Sequence, residues 1–168
     1  LDFDNVSLVG IINADSMLNF PDFRAHERAY QMMVQVSGRA GRNKKQGNVA
    51  IQTFNPYHQI LQQVAATNYT EMYNEQLQDR WQYKYPPYYR LIKITLKHRD
   101  YNNVDNGINW LAKALQNSFG EFVLGPTAPA VSRIRNQYIK NIVIKIPPKQ
   151  SLVGTKKQLQ KIKNTFEA

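Results

Sequence analysis

Residues 6–12 form a nearly unbroken apolar run, the pattern of a strand covered on both faces in a parallel sheet. Polar Asn13 and Asp15 follow at its carboxyl end, where open α/β sheets place their ligands. Asp15 suits a site-orienting role, a helix cap or a loop. Residues 24–36 switch to helical spacing, with Ala25, Ala29, Met32, Met33 and Val36 on one stripe, the methionines as core filler. Residues 49–54 return to a strand, so the first stretch predicts a parallel βαβ unit with a right-handed crossover. Asn55-Pro56 reads as a cap and first-turn proline for a short helix carrying Ile60, Leu61 and Val64. A second helix starts near Asn68, with Glu71 at capping-box spacing, and runs through Met72, Tyr73 and Leu77 to about Trp81.

Tyr83, Tyr85, Tyr88 and Tyr89 surround Pro86-Pro87, which predicts a stiff, extended linker. Their rings suit either packing between domains or stacking on bases. From Arg90 to His98 the pattern alternates: Ile92, Ile94 and Leu96 on one face, Lys93, Thr95 and Lys97 on a wet, basic one. A helix capped near Asn103 follows, with Val104, Ile108, Leu111, Ala112 and Leu115 at helical spacing. A strand begins at Phe122-Val123-Leu124 and is broken by Gly125-Pro126. Arg133 and Arg135 precede a turn around Asn136-Gln137, and residues 138–146 form another extended run, stopped by Pro147-Pro148. Thr155 with Gln158 reads as a capping box for a last helix with Leu159, Ile162 and Phe166 as its core stripe. Strand, helix, strand, strand, helix is a split βαβ, ferredoxin-like, without its final strand. The fold class is therefore α/β with a parallel βαβ, then an α+β domain, divided as residues 1–55, a helical connector and linker over 56–89, and 90–168. The chain opens without an initiator methionine, and both ends read as cuts in a longer protein.

Composition narrows the function classes. At 168 residues, 42% hydrophobic and 20% charged, the chain is an ordinary folded protein. Lys and Arg number 22 against 12 acidic residues, a formal charge of +10, which suits a polyanionic partner such as nucleic acid and equally a merely soluble basic domain. With no cysteine, neither a disulfide framework nor a cysteine zinc site can form. The apolar run near the start is too short to span a bilayer, and acidic Asp2 and Asp4 precede it, so a cytoplasmic protein is expected. His26 and His58 have no partners at metal-ligand spacing and read as structural or surface residues.

The chemistry concentrates in Gln35-Val36-Ser37-Gly38-Arg39-Ala40-Gly41-Arg42. Each arginine follows a glycine, which suits a backbone that turns sharply or approaches a ligand closely. Guanidinium groups stay charged at any working pH and match phosphate oxygens with a planar fork of donors. Such a loop could grip an oxyanion-rich ligand or be an exposed basic turn. Lys44 and Lys45 follow as solvated residues or contacts to DNA backbone.

The eight-residue motif resembles the last conserved motif of superfamily-two helicases, in their second RecA-like lobe. Residues 1–3, 6–15 and 21–28, then Tyr85-Pro86-Pro87-Tyr88 and Val123-Leu124-Gly125-Pro126, resemble the primosomal protein N′ family of bacterial replication-restart helicases. The resemblance covers nearly the whole chain. It implies that residues 1–55 are the C-terminal part of a RecA-like lobe, with Arg42 as arginine finger, Arg39 as a second γ-phosphate contact and Gln35 near the attacking water. Gly38 would lie in the same ATP site, and Asp2 would touch the ribose. Lys93, Lys97, Arg133, Arg135 and Lys140 are the candidate DNA contacts, although Ile134, Gln137 and Ile139 dilute a loop that is more basic in the family.

The family implies a parent that hydrolyses ATP with Mg²⁺, moves 3′ to 5′ on single-stranded DNA and reloads replication machinery at stalled forks. Its implied partners are forked and single-stranded DNA, single-strand-binding protein and primosome components, with no membrane. Zinc is implied for the full-length parent only. No Gly-x-x-x-x-Gly-Lys-Ser/Thr loop and no acidic pair for magnesium occur here, so this chain alone should not hydrolyse ATP. The alternatives are a non-motor basic nucleic-acid-binding module and a related excision-repair helicase, which should lack the Pro-Pro linker and the split βαβ.

Overall fold

In a computed structural model, residues 6–40 and 47–166 are described. Asp2, Gly41, Arg42, Lys44 and Lys45 lie outside them. The chain is mixed α/β, with one parallel and one antiparallel sheet, and divides into two compact units between Asp79 and Arg80.

In the first unit β1 (Leu8–Ile11) and β2 (Asn48–Ile51) pair in parallel, from Leu8 opposite Asn48 to Ile11 opposite Ile51. Between them come α1 (Ala14–Leu18) and α2 (Ala25–Ser37). The core is Ala14, Leu18, Ala29, Tyr30 and Met33, closed by Ile60 and Leu61 of α3 (Gln59–Ala65) and Met72 of α4 (Tyr69–Gln82). The predicted strand–helix–strand order is present, with differences. β1 is not covered on both faces: among the described residues it pairs only with β2, and Leu8 remains 61% exposed. α1 was not expected. Asn13, in left-handed backbone, caps it by accepting from the Ser16 N–H, an arrangement that Asn tolerates well. On α2 the buried stripe runs through Ala25, Ala29, Tyr30 and Met33, while Met32 is turned outward. β2 stops at Ile51 because Thr53 and Phe54 bond to Asp15 instead of continuing the ladder. The cap of α3 is His58, not Asn55: its Nδ1 accepts from the Ile60 N–H at 3.2 Å. The capping box at the head of α4 stands as expected, Asn68 accepting from the Glu71 N–H and donating to the Glu71 carboxylate.

In the second unit β3 (Arg90–His98), β6 (Gln137–Ile146) and β4 (Val123–Thr127) form an antiparallel sheet in the order β3-β6-β4, and β5 (Arg133–Ile134) adds to β6. Ile92 faces Ile144 and Ile94 faces Ile142 across the ladder, on the side covered by α5 (Tyr101–Phe119) and α6 (Leu152–Phe166). Ile108, Leu111, Ala112 and Leu115 of α5 complete this core. Gly107 allows the approach: a Cβ there would sit 3.0 Å from Leu96 and 3.2 Å from Phe166. An apolar groove of about 640 Å³ lies between β3, α5 and α6.

Here too the alternation and helix faces match the sequence, and the punctuation differs. Residues 83–89 are compact turns, with the Tyr85 N–H on the Arg80 carbonyl and the Tyr88 and Tyr89 N–H groups on the Tyr85 carbonyl. Buried Lys145 draws this segment onto the sheet, donating to the Tyr83 carbonyl with its ammonium 3.9 Å from the Tyr85 ring centre. Burial, and then Lys84, hold the Lys145 pKa below its ordinary value. α5 is capped by Asp100, whose carboxylate accepts from the Asn103 N–H. β4 runs through Gly125-Pro126 with a register shift instead of ending there. The hairpin turn is Arg135-Asn136, both at positive φ, as a two-residue type I′ turn requires. Ser151 rather than Thr155 opens α6. Its Oγ accepts from the Gly154 N–H, and the buried Thr155 hydroxyl bonds back to the Ser151 carbonyl.

Candidate functional site

α2 ends by carrying Gln35 and Arg39 to one end of the crossover, one helical turn apart. Gln35 is exposed on the last turn, Gly38 is the C-cap, and half-buried Arg39 follows with its N–H on the Val36 carbonyl at 3.1 Å. Gly38 corrects one expectation. Its φ of −66° is ordinary right-handed backbone, and a Cβ there would meet nothing closer than 3.5 Å. No turn demands glycine at this position. Arg42 and Gly41 complete the motif outside the described residues.

At the carboxyl end of the same sheet, Asp15 joins β2 to α1. Its carboxylate accepts from the Phe54 N–H at 3.0 Å and the Thr53 hydroxyl at 2.9 Å. The Phe54 N–H bond, with Thr53 adding to it, holds the carboxyl below its ordinary range. The part it plays here is therefore structural. The His58 ring stands edge-on to His26, centroids 5.3 Å apart. Burial first, then His26, lowers the His58 pKa, with Asp15 opposing. Protonating Nδ1 would remove the acceptor that caps α3.

The sign of the linkage follows. Above about pH 6.5 the ring is neutral in both folded and unfolded chains. Below it the unfolded chain takes the proton first, so stability is lost as pH falls from about 6.5 to the lower folded pKa. Melting the chain at about pH 7.5 and about pH 5 should show a drop that is smaller in His58→Asn, which keeps a capping acceptor without titrating there.

The candidate DNA contacts of the second unit do not form one patch. Lys93 and Lys97 are exposed on β3, on the sheet face away from the helices. Arg133 and Arg135 are exposed on the β5–β6 hairpin, Arg135 at its tip. Arg133 donates to the Asn136 side chain and lies 4.7 Å from the Tyr138 ring centre. Lys140 is on the helix side, ion-paired with Asp105 and 5.3 Å from the Tyr101 ring centre. The Asp105 hydrogen bond raises its pKa, so its charge is already spent within the fold. Among the described residues no group of three or more His, Cys, Asp or Glu could hold a metal, and no helix is long and apolar enough to cross a membrane.

A charge census by unit adds what whole-chain composition hides. Residues 80–168 hold 16 of the 22 Lys and Arg but 4 of the 12 Asp and Glu, a net +12, which leaves −2 for residues 1–79. Part of the excess is on α6, where Lys156, Lys157, Lys161 and Lys163 are all exposed and no acidic residue occurs. Net charge counted per predicted domain would have revealed it.

Comparison with known proteins places these features in a family. The family profile described as "Primosomal protein N C-terminal domain" matches residues 82–167. The replication restart protein PriA of Bacillus subtilis is 38% identical over 99% of this chain and 21% of its own length. The proteins of the same name from Synechocystis and Haemophilus influenzae are 37% and 36% identical over 88% and 94% of this chain, and 18% and 22% of their own lengths. The chain thus spans about a fifth of the relatives it matches. A match of this identity running from the crossover helix through the basic second unit means that the chain belongs to the primosomal protein N family, as a fragment that includes its C-terminal domain.

Proposed function

We propose that this chain is part of an ATP-dependent 3′-to-5′ DNA helicase that restarts replication at stalled or repaired forks by primosome assembly. The first unit is read as the end of a RecA-like lobe and the second as a ferredoxin-like split βαβ that contacts DNA. One observation carries the reading: Gln35 and Arg39 stand one turn apart at the end of the helix joining two parallel strands, in a chain resembling replication restart proteins nearly end to end.

ATP and Mg²⁺ would be held mainly by sequence outside this chain. The exposed Gln35, the unobstructed Gly38 and the donor-rich arginines fit one wall of a triphosphate pocket. Arg42 and Arg39 would neutralise charge on the γ-phosphate, Gln35 would orient water, and Asp2 would touch the ribose. Bound magnesium would share that neutralisation. The chain by itself is expected to be inactive. A cysteine-ligated zinc cannot be held here, and the zinc of the resembled family would belong to the rest of the parent. Single-strand-binding protein and primosome components are the proposed protein partners, and the cytoplasm the proposed location.

The test of the motor reading is DNA-stimulated ATP hydrolysis by the full-length protein with Arg42 replaced. Loss of DNA affinity, in a protein that never hydrolysed ATP, would instead identify a non-motor binding module. The DNA contacts have their own test. Replacing Lys93, Lys97, Arg133 and Arg135 together by glutamine is expected to flatten the plot of log affinity against log salt by about 3 units, from 0.7–0.9 per phosphate contact. An unchanged slope would remove these four residues from the interface.

A further inference from the structure

We infer that the lysine face of α6 is a nucleic-acid backbone-binding surface, separate from the β3 and hairpin residues. It rests on the reading of the second unit as a DNA-contacting domain and adds a site to it. α6 is held by Leu152, Leu159 and Ile162, which pack on the core beside the helix face of the sheet. At 100° per residue, Lys157 and Lys161 then fall on the outward side with Gln160 and Asn164, Lys156 lies at the edge of that face beside the apolar groove, and all five are exposed. Lys93 and Lys97 leave the sheet on its opposite face, so one surface cannot include both sets.

The charge has no evident folding role. Lys156, Lys157 and Lys161 form no ion pair among the described residues. Lys157 and Lys161 are like charges one turn apart, which weakens a helix by a few tenths of a kcal/mol. With no acidic residue between Leu152 and Phe166, nothing along the helix offsets that repulsion. Other cations of this unit are engaged: Lys84 with Glu121, Lys140 with Asp105, Lys145 with Tyr83. Lys156, Lys157 and Lys161 are left available.

The spacing fits phosphates. Lys156 to Lys161 spans about 7.5 Å of helix, the axial length of about two phosphate steps on one strand of duplex. Flexible ammonium groups without a fixed fork suit contacts that follow charge and ignore sequence, and neighbouring amides can add hydrogen bonds to phosphate or sugar. A lipid surface fits less well, because the apolar stripe that such a helix would insert already faces the protein core.

The experiment is fluorescence anisotropy with a mixed-sequence oligonucleotide, single-stranded and duplex, between about 50 and 200 mM salt. The chain is compared with a triple variant carrying Lys156→Gln, Lys157→Gln and Lys161→Gln. Glutamine keeps helix propensity. Affinity at the lower salt is expected to fall about tenfold or more, and the salt slope to shrink by about 2 to 3 units. Arginine at the same three positions should restore both, and Lys161→Gln alone should reduce the slope by about one unit, which separates charge loss from unfolding. An unchanged slope in the glutamine variant overturns the proposal. If the Lys93, Lys97, Arg133 and Arg135 variant still loses slope in the same series, the DNA-binding reading survives that failure. Absence of salt-dependent binding by the unaltered chain overturns both. Loss of binding to phosphatidylserine vesicles or polyglutamate, with DNA binding intact, also overturns it.

Discussion

Full-length protein carrying Arg42→Ala is expected to hydrolyse ATP about a thousandfold or more slowly in the presence of DNA, with melting temperature and DNA affinity close to those of the unaltered protein. The size follows from what the guanidinium does on the proposed reading. It meets charge that grows on the transferring phosphoryl group, in a site that excludes water, where a fixed positive charge is worth far more than in bulk solvent. Because the interaction strengthens in the transition state, the loss should fall on kcat rather than KM. Arg42→Lys should recover little, since an ammonium cannot reproduce the planar fork. Gly38→Ala supplies a control. Its backbone is ordinary and its surroundings open, so stability should hold, and lost ATPase would report a ligand passing close to the chain. Retention of full ATPase by Arg42→Ala would end the motor reading.

The sequence disclosed periodicity well and termination poorly, for one physical reason. Apolar spacing records which face of an element is buried, and that face is set over many residues at once. Thus Ile92, Ile94 and Leu96 alternate against Lys93, Thr95 and Lys97 as the alternation required, and Val104 to Leu115 line α5. Caps and breaks depend on single hydrogen bonds with several nearby candidates. Asp100 outcompeted Asn103, Ser151 outcompeted Thr155, and His58 served where Asn55 was expected, each by presenting an acceptor to the first free N–H groups. α1 escaped because five residues are too few to show a period.

The candidate site was legible unevenly for a related reason. Gln35 and Arg39 lie on or beside a long helix, so their mutual placement follows from helical geometry. The DNA candidates are scattered over strand, hairpin and helix face, and only pairing shows that Lys140 and Lys93 lie on opposite sides of one sheet. The Lys140–Asp105 pair joins residues 35 apart in sequence, which no local pattern discloses. The charge of α6 was written plainly in the sequence but was averaged away by a whole-chain total that merged a +12 unit with a −2 unit.

Gly125→Ala should destabilise the second unit by about 3 to 5 kcal/mol, through two mechanisms acting at one atom. The residue sits at φ +106°, a region that side chains rarely enter, which by itself costs about 1–3 kcal/mol. The added Cβ would also lie 2.9 Å from the Asn141 carbonyl oxygen and 3.2 Å from the Thr127 nitrogen. Both are backbone atoms held in the ladder between β4 and β6, so neither can swing aside as a side-chain end could. Relief would have to come from the register shift between Leu124 and Thr127, loosening β4 from the strand that carries Ile142 and Ile144 at the centre of the core. For a domain of this size the melting temperature should fall by at least about 12 °C. Gly120→Ala separates the two causes. Its φ is +57° with ψ −132°, likewise a conformation that side chains rarely adopt, and its Cβ would meet nothing within 4 Å, so only the backbone term of about 1–3 kcal/mol remains. Equal losses at the two glycines would show that β4 is free to shift at its bulge. A loss at Gly125 at least twice that at Gly120 would show that the Asn141 backbone holds it in place.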